Sequence, residues 1–247
     1  MLFRLLGPVD VVRDGEPVAI TGERQRAVLA LLLLSRSKVV STERLIDGVW
    51  GADPPASATH GIEVAVSNLR RQLAHEAVRT RPPGYFVPVT AGDLDADRFG
   101  ALVAEAAQAR ARGDPTAAAG MLREALALWR GDALADVASA PFALLETLRL
   151  EELRLAALEA RIEADMARGL APEVVGELRL LIRAWPLRER LLELLMLALY
   201  QCGRQVEALE VFRNARRALV NSVGVEPGPA LRRAEQAILR QDSSLST

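Results

Sequence analysis

The sequence predicts a mainly α-helical protein with two domains. The first, residues 1–91, is an N-terminal winged helix-turn-helix (α+β) domain, and the second, residues 92–240, is an all-α domain of tetratricopeptide-like repeats. Three observations predict this class. The first part passes from short β-rich segments through three helical segments to a β-hairpin. In the second part apolar residues recur at helical spacing almost throughout. One such pattern returns further along the chain as an internal repeat.

The N-terminal segment, residues 2–20, predicts a small antiparallel sheet, because short β-rich runs are broken by Asp14-Gly15, a strong hairpin turn signal. A helix over about residues 22–35 follows, and Thr21 is its predicted N-cap. The apolar residues of this helix that face the core at helical spacing are Ala27, Leu31 and Leu34.

Two further helices follow in the first domain. Ser41 is the predicted N-cap of the segment STERLIDGVWG, and Gly51 is expected to end that helix. The third helix begins after Asp53-Pro54-Pro55, since proline is tolerated in a first helical turn but disfavours helical geometry in the residue before it. Its apolar residues fall at i, i+4, i+7 and i+11 and predict one buried face, made of Ile62, Val66, Leu69 and Leu73.

A β-hairpin ends the first domain. The alternation in VRTR and YFVPV flanks a turn at Pro82-Pro83-Gly84. Sheet, three helices and hairpin, in that order, are typical of a winged helix-turn-helix.

The second domain is punctuated by glycine and proline at intervals that suit helices joined by tight turns. Its repeat is carried by Val174, Leu178, Leu181 and Trp185, which return one period later as Ala208, Phe212, Ala215 and Leu219. That period, about 34 residues, is the one of tetratricopeptide-type helical hairpins, so Trp185 is expected in the core. The polar residues 241–247, QDSSLST, predict a disordered tail.

The composition argues against several classes of protein. The longest apolar run, residues 27–34, is too short to cross a membrane and the N-terminus lacks a signal-peptide pattern, so we expect a cytoplasmic protein. One cysteine and two histidines predict neither an internal disulfide nor a metal site. The P-loop motif GxxxxGK[ST] requires a lysine. The one lysine of the sequence, Lys38, does not lie in such a motif, so there is no P-loop. No other catalytic or dinucleotide motif occurs, so we expect no cofactor and no enzymatic activity.

Positive charge is concentrated at the end of the third helix and on the hairpin. Residues 1–91 carry eleven Arg and Lys against nine Asp and Glu, whereas residues 92–247 carry twenty against twenty-three. Within residues 67–81, four arginines face the single acid Glu76. A local positive field attracts a polyanion, so the predicted partner is the phosphate backbone of double-stranded DNA.

The third helix also has the chemistry to read bases in a major groove, which is wide enough for one α-helix. Asn68 is the strongest candidate base reader, because its amide can pair bidentately with adenine, and Val64 can contact a thymine methyl. The candidate DNA-binding residues of this helix are Thr59, His60, Val64, Ser67, Asn68, Arg70 and Arg71. Those of the hairpin are Arg79, Thr80 and Arg81, and Thr42 is a candidate phosphate contact at a helix start.

Other interpretations stay open from the residues alone. Arg70 and Arg71 can be an ordinary solvated helix face. The chain can then be a helical-repeat scaffold for protein interactions with a degenerate winged-helix domain. An enzyme has the least support, since no acid–base pair, nucleophile arrangement or cofactor loop stands out.

A chain of sequence blocks resembles one family nearly end to end. These blocks include RQRAVLALLLL, ERLIDGVWG, VSNLRRQL, RTRPPGY, EALALWRG, LRERLLELLMLALYQCGRQVEALEVFRNAR and GVEPGPALRR. The chain resembles the Streptomyces antibiotic regulatory protein family, which joins an OmpR-type winged helix to a bacterial transcriptional activation domain of tetratricopeptide-like helices. The sequence contains no receiver domain before the winged helix and no nucleotide-binding module after the repeats. It therefore resembles the short, two-domain form or a fragment of a longer regulator.

The resemblance implies a sequence-specific transcription activator. Such proteins bind tandem direct repeats at promoters, self-associate on the DNA and recruit RNA polymerase through its sigma factor and other subunits. The resemblance also implies control of secondary-metabolite (antibiotic) biosynthesis genes and a location at the nucleoid when DNA is bound. By analogy with OmpR-type wings, Arg81 is expected at a minor groove.

Overall fold

The computed structural model describes residues 1–242 and Leu245. Residues 243, 244, 246 and 247 of the predicted tail lie outside the described part. The chain divides into two compact units. The first consists of Met1–Ala104 and Glu124–Leu155, and the second of Glu105–Arg123 and the chain from Ala156 onward. Among the described helices, none is long and apolar enough to cross a membrane.

The first unit begins with a three-stranded antiparallel sheet in the order β1-β2-β3, as the sequence predicted. Its strands are β1 (Leu2–Arg4), β2 (Asp10–Arg13) and β3 (Glu16–Val18). Asp14 and Gly15 form the turn between β2 and β3 with φ of 55° and 90°, a left-handed conformation that aspartate and glycine tolerate.

The first helix, α1 (Glu23–Leu34), is capped by Gly22, so the predicted cap at Thr21 is wrong. The Thr21 hydroxyl instead accepts a hydrogen bond of 2.9 Å from the side chain of Gln72. Seven successive residues of α1, 27–33, are buried, because the helix is packed on all sides within the first unit.

The next two helices follow the predicted pattern. A short strand, β4 (Val40–Ser41), leads into α2 (Thr42–Trp50), and the Ser41 hydroxyl accepts a hydrogen bond of 3.2 Å from the N–H of Arg44. Gly51 ends the helix with φ of 71°. The third helix is α3 (Ala58–Leu73), and the predicted face of Ile62, Val66, Leu69 and Leu73 is buried.

The hairpin consists of β5 (Arg79–Arg81) and β6 (Gly84–Phe86). With β4 it forms a second antiparallel sheet in the order β4-β6-β5. Gly84 is required where β6 meets β4, because a Cβ there would lie 1.9 Å from the carbonyl oxygen of Val40. The predicted order of sheet, three helices and hairpin is confirmed.

The first unit does not end at the hairpin. It also takes in parts of three helices: α4 (Asp95–Ala111), α5 (Pro115–Ala127) and α6 (Pro141–Ala167). The buried carboxylate of Asp95 accepts hydrogen bonds from the N–H groups of Leu5 (2.8 Å) and Leu6 (3.0 Å). The N–H of Arg130 donates to the carbonyl of Leu6 at 2.8 Å, and the N–H of Leu134 donates to Gly7 at 2.9 Å. The N-terminal backbone is therefore bonded by Asp95 at the start of α4 and by Arg130 and Leu134, which come long after the hairpin.

In its described residues, the second unit contains four complete helices: α7 (Ala171–Ala184), α8 (Glu189–Gln201), α9 (Gln205–Val223) and α10 (Pro229–Leu239). Helix α8 packs against the other three. The carboxylate of Asp165 is buried among arginines, with contacts of 2.6 Å to Arg123, 3.1 Å to Arg161 and 2.9 Å to Arg168.

Six of the eight residues of the apolar repeat are buried in the second unit, whereas Leu181 is half-buried and Trp185 is exposed. Val174, Leu178, Ala208, Phe212, Ala215 and Leu219 are all in the core. The prediction of a core position for Trp185 is wrong, since this side chain is 40% exposed. Trp185 follows the last residue of α7 with φ of −128° and ψ of 71°, so it leaves the helical register on which the prediction depended.

Candidate nucleic-acid interface

One side of α3 faces solvent as a continuous strip, defined here as the reading strip. It consists of Thr59, His60, Glu63, Val64, Ser67, Asn68 and Arg71. All are exposed except Asn68, which is half-buried. Val64 is 44% exposed although it is apolar, and it lies at i+4 from His60 on the face opposite the buried stripe. The structure thus places six of the seven predicted α3 residues on one accessible surface.

The position of α3 is fixed by a close approach to α2. A Cβ on Gly61 would lie 3.1 Å from the ring of Trp50, so glycine lets the indole pack against the start of α3. The guanidinium of Arg24, from α1, lies 5.6 Å from the centroid of the same ring. These contacts hold the reading strip in a defined direction.

Asn68 and Arg71 are bonded to each other within the strip. The Arg71 guanidinium donates to the Asn68 Oδ1 at 2.6 Å. Bidentate pairing of an asparagine with adenine uses both Oδ1 and the NH₂ group. An amide oxygen has two lone pairs, so Oδ1 can keep the bond from Arg71 and still accept a second hydrogen bond from a ligand.

Arg70 points away from the reading strip and connects α3 to the hairpin. Its Nε donates to the carbonyl oxygen of Val78 at 2.8 Å, and its terminal NH₂ donates to the hydroxyl of Thr80 at 2.7 Å. The guanidinium also lies 6.0 Å from the centroid of the Tyr85 ring. Arg70 and Thr80 are therefore occupied in holding the hairpin against the helix.

The two hairpin arginines share one face of β5. Arg79 and Arg81 are two residues apart and lie on the face opposite Thr80, since side chains alternate along a strand. Arg79 contacts Glu76 at 3.4 Å, with both side chains largely exposed. Arg81 lies next to the turn, is exposed, and has no side-chain hydrogen bond or ion pair within the described residues. Its guanidinium is therefore available to a ligand outside the protein.

Thr42 lies where α2 meets the hairpin. Its N–H donates to the carbonyl of Pro83 at 3.3 Å. A phosphate contact at this position therefore has to come from the hydroxyl, since the N–H is already bonded.

Sequence reasoning did not name Glu63 in the strip. Its carboxylate lies 3.6 Å from the Nδ1 of His60, and both side chains are exposed. The signal was present, because Glu63 lies three residues after His60 and four before Ser67 on the same helix face. In general, a carboxylate at a DNA groove repels phosphates but can accept a hydrogen bond from cytosine N4.

The fold and this surface define a class: a winged helix-turn-helix regulator joined to a helical activation domain. Residues 94–239 match the family model described as bacterial transcriptional activator domain, and residues 15–87 match that described as transcriptional regulatory protein, C terminal. The chain belongs to the Streptomyces antibiotic regulatory protein family of transcriptional regulators.

Individual relatives agree with this family. The chain is 44% identical to Regulatory protein AfsR of Streptomyces coelicolor over 99% of its own length and 25% of that protein. It is 36% identical to Regulatory protein DnrI of Streptomyces peucetius over 99% of this chain and 94% of the relative. A solved structure of Mycobacterium tuberculosis EmbR in complex with a low-affinity phosphopeptide superposes with a TM-score of 0.93 at 36% identity. That match covers 97% of this chain and 65% of EmbR. The chain thus spans about a quarter of the length of AfsR.

Proposed function

We propose that the protein activates transcription by binding promoter DNA with the reading strip of α3 in the major groove and the hairpin at the adjacent minor groove. The observation that carries this proposal is the solvent-facing strip around Val64, Ser67 and Asn68, together with Arg81, which has no ion-pair partner among the described residues. An apolar residue and amide and hydroxyl groups on one exposed helix face suit base edges, which offer methyl groups, donors and acceptors.

Within the strip, some residues are proposed to recognise individual bases, and others to bond to base edges or to the DNA backbone. Asn68 pairs with adenine, Val64 contacts a thymine methyl, and Arg71, which donates to Asn68, also contacts guanine or phosphate. Thr59, His60 and Ser67 bond to base edges or to the backbone nearby.

The hairpin supplies the second contact. Arg81, with Arg79 on the same strand face, enters the negative potential of a narrow A·T-rich minor groove. Arg70 and Thr80 act indirectly, because they hold the hairpin at the distance from α3 that lets both grooves be reached together. Thr42 contributes its hydroxyl to a phosphate.

Activation is assigned to the repeat domain, residues 92–240, while residues 1–91 carry the DNA contacts. Stacked helical hairpins create extended surfaces for protein segments, and RNA polymerase with its sigma factor is the proposed partner. Copies of the protein bind tandem direct repeats head to tail on one DNA face, with sites about one helical turn, ~10–11 bp, apart. We expect the target genes to be those of secondary-metabolite (antibiotic) biosynthesis, and the protein to act in the cytoplasm, at the nucleoid.

Footprinting on the upstream regions of the host genome identifies the operator, and fluorescence anisotropy on that fragment then tests the two contacts. Asn68→Ala is expected to weaken binding to the operator by about 1–3 kcal/mol and to leave binding to unrelated DNA nearly unchanged. Arg81→Ala is expected to weaken binding to every sequence and to reduce the salt dependence by about one phosphate contact.

Binding that does not depend on salt would contradict a DNA interface and would favour a helical-repeat scaffold. Equal losses on all sequences for Asn68→Ala would contradict its role as a base reader.

A further inference from the structure

A second surface, unrelated to the reading strip, lies in the first unit between the end of α1, the turn over residues 35–39 and the start of α6. It is a groove with a volume of about 500 Å³. Its apolar lining consists of Leu31, Leu34, Val39, Val40, Phe142 and Leu145. We refer to it as the α6 groove.

The apolar surface continues out of the α6 groove along the helix. Leu144, Leu145 and Leu148 are 65%, 74% and 58% exposed. At about 100° per residue these three positions fall on one side of the helix, and Leu145 is shared with the groove lining. Single exposed leucines are ordinary, but three adjoining ones next to an apolar groove mark an interaction surface.

The rim of the α6 groove is positively charged. Lys38 and Arg44 are exposed, and neither has an ion-pair partner within the described part of the chain. The other two charged residues of the lining are neutralised, since Arg36 contacts Asp97 at 2.8 Å and Glu146 is bonded to Arg149. The groove therefore offers a partner two free cations beside an apolar floor.

The walls of the groove are held in place by close packing. A Cβ on Gly48 of α2 would lie 2.6 Å from the Leu31 side chain and 3.7 Å from Phe142. A Cβ on Gly51 would lie 3.0 Å from Pro141, the first residue of α6. Two glycines thus let α2 approach both walls, so the groove is formed before any partner arrives.

We propose that the α6 groove binds an acidic amphipathic helix of a partner protein. Leucine, isoleucine or phenylalanine residues at i, i+4 and i+7 of the partner helix would pack on Phe142, Leu145 and Leu148. Its Asp and Glu residues would pair with Lys38 and Arg44. The apolar floor disfavours nucleic acid as the occupant, and the free cations select an acidic helix over a basic one. This proposal does not depend on the DNA contacts of α3.

A direct test uses the full chain and two fluorescein-labelled amphipathic peptides with the same leucine positions, one carrying Glu and the other Lys on the polar face. We expect the Glu peptide to bind about tenfold more tightly than the Lys peptide at low salt. Leu145→Asp is expected to weaken binding of the Glu peptide about tenfold or more, because a leucine contact is replaced by a buried like charge. The matched control is Leu180→Asp, which changes a leucine of the second unit that is 66% exposed, and it should leave binding unchanged.

The charge contribution is tested separately with the double variant Lys38→Glu, Arg44→Glu, which should reverse the preference between the two peptides. Equal binding of both peptides, or equal losses for Leu145→Asp and Leu180→Asp, would overturn the proposal. It would also be overturned if sedimentation showed self-association that Leu145→Asp abolishes without any peptide binding, since a second copy would then be the occupant. Fluorescence anisotropy on the operator keeps the two proposals distinguishable. Leu145→Asp should leave operator affinity unchanged, so a change in peptide binding alone would not bear on the DNA contacts.

Discussion

Replacing Arg70 with methionine tests whether this residue holds the hairpin or contacts DNA. Methionine keeps the unbranched stem and removes all donors, so the bonds to Val78 and Thr80 are lost. A hydrogen bond from a charged donor contributes about 1.5–3 kcal/mol when partly buried, and the exposed bond to Thr80 adds less. With the stacking on Tyr85, at about 0.5 kcal/mol, the expected loss in the free energy of unfolding is about 2–3 kcal/mol.

Arg71→Met is the matched control, since Arg71 is the next residue and its bond to Asn68 is exposed. We expect its free energy of unfolding to fall by less than about 0.5 kcal/mol, because exposed pairs contribute little. Its operator affinity should nevertheless fall by about 1–3 kcal/mol, because the guanidinium proposed to contact the DNA is gone.

Three measurements separate the two variants: urea unfolding, hydrogen exchange of the amides in β5 and β6, and anisotropy on the operator. Arg70→Met should destabilise the protein, speed exchange in the hairpin and weaken binding to all sequences through a displaced wing. If Arg70→Met left stability and exchange unchanged while weakening operator binding as much as Arg71→Met, Arg70 would be a DNA contact and the tie to the hairpin would be dispensable.

Four other changes have defined outcomes. Gly84→Ala should lower the free energy of unfolding by more than about 3 kcal/mol in urea titrations, because the new Cβ would meet the Val40 carbonyl at 1.9 Å. Asp165→Asn should lower the free energy of unfolding by about 1–3 kcal/mol, because it removes a buried charge that three arginines contact, and equal urea midpoints would contradict this. Burial raises the pKa of Asp95 above 3.8, so ionisation is less favourable in the folded state. The difference in free energy of unfolding between the wild type and Asp95→Asn should therefore shift against the wild type as pH rises from 3.8 through the raised pKa. Urea titrations that gave the same difference at each pH would exclude this effect. Glu63→Gln should strengthen binding to unrelated DNA in anisotropy, since a charge that repels phosphates is removed, and weaken discrimination for cytosine.

The sequence was most informative where local periodicity and burial agree. The spacing of Ile62, Val66 and Leu69 determined which side of α3 is buried, and the exposed strip follows as its complement. The Ser41 cap and the turn at Asp14-Gly15 depend on short-range chemistry that is readable from a few residues.

Features that depend on distant pairs could not be predicted. The role of Arg70 is set by how the hairpin lies against α3. The hydroxyl of Thr21 bonds to Gln72, near the C-terminal end of α3, and does not cap α1. Trp185 matched the apolar repeat, but the helix stopped one residue earlier. The α6 groove combines α1 and the following turn with the start of α6, which are distant in the chain, so no local pattern indicates it.

The bonds from Asp95, Arg130 and Leu134 to the backbone of Leu5, Leu6 and Gly7 have a consequence for biosynthesis. A ribosome makes the N-terminal segment first, yet the amides of Leu5 and Leu6 lack their partner until Asp95 has emerged. The carbonyls of Leu6 and Gly7 lack the partners Arg130 and Leu134 until later still. The half of the molecule that carries α3 therefore reaches its final stability after residue 155 has been translated rather than at the end of the hairpin. A nascent chain arrested before that point would expose the unbonded backbone of Leu5, Leu6 and Gly7 to proteases and chaperones.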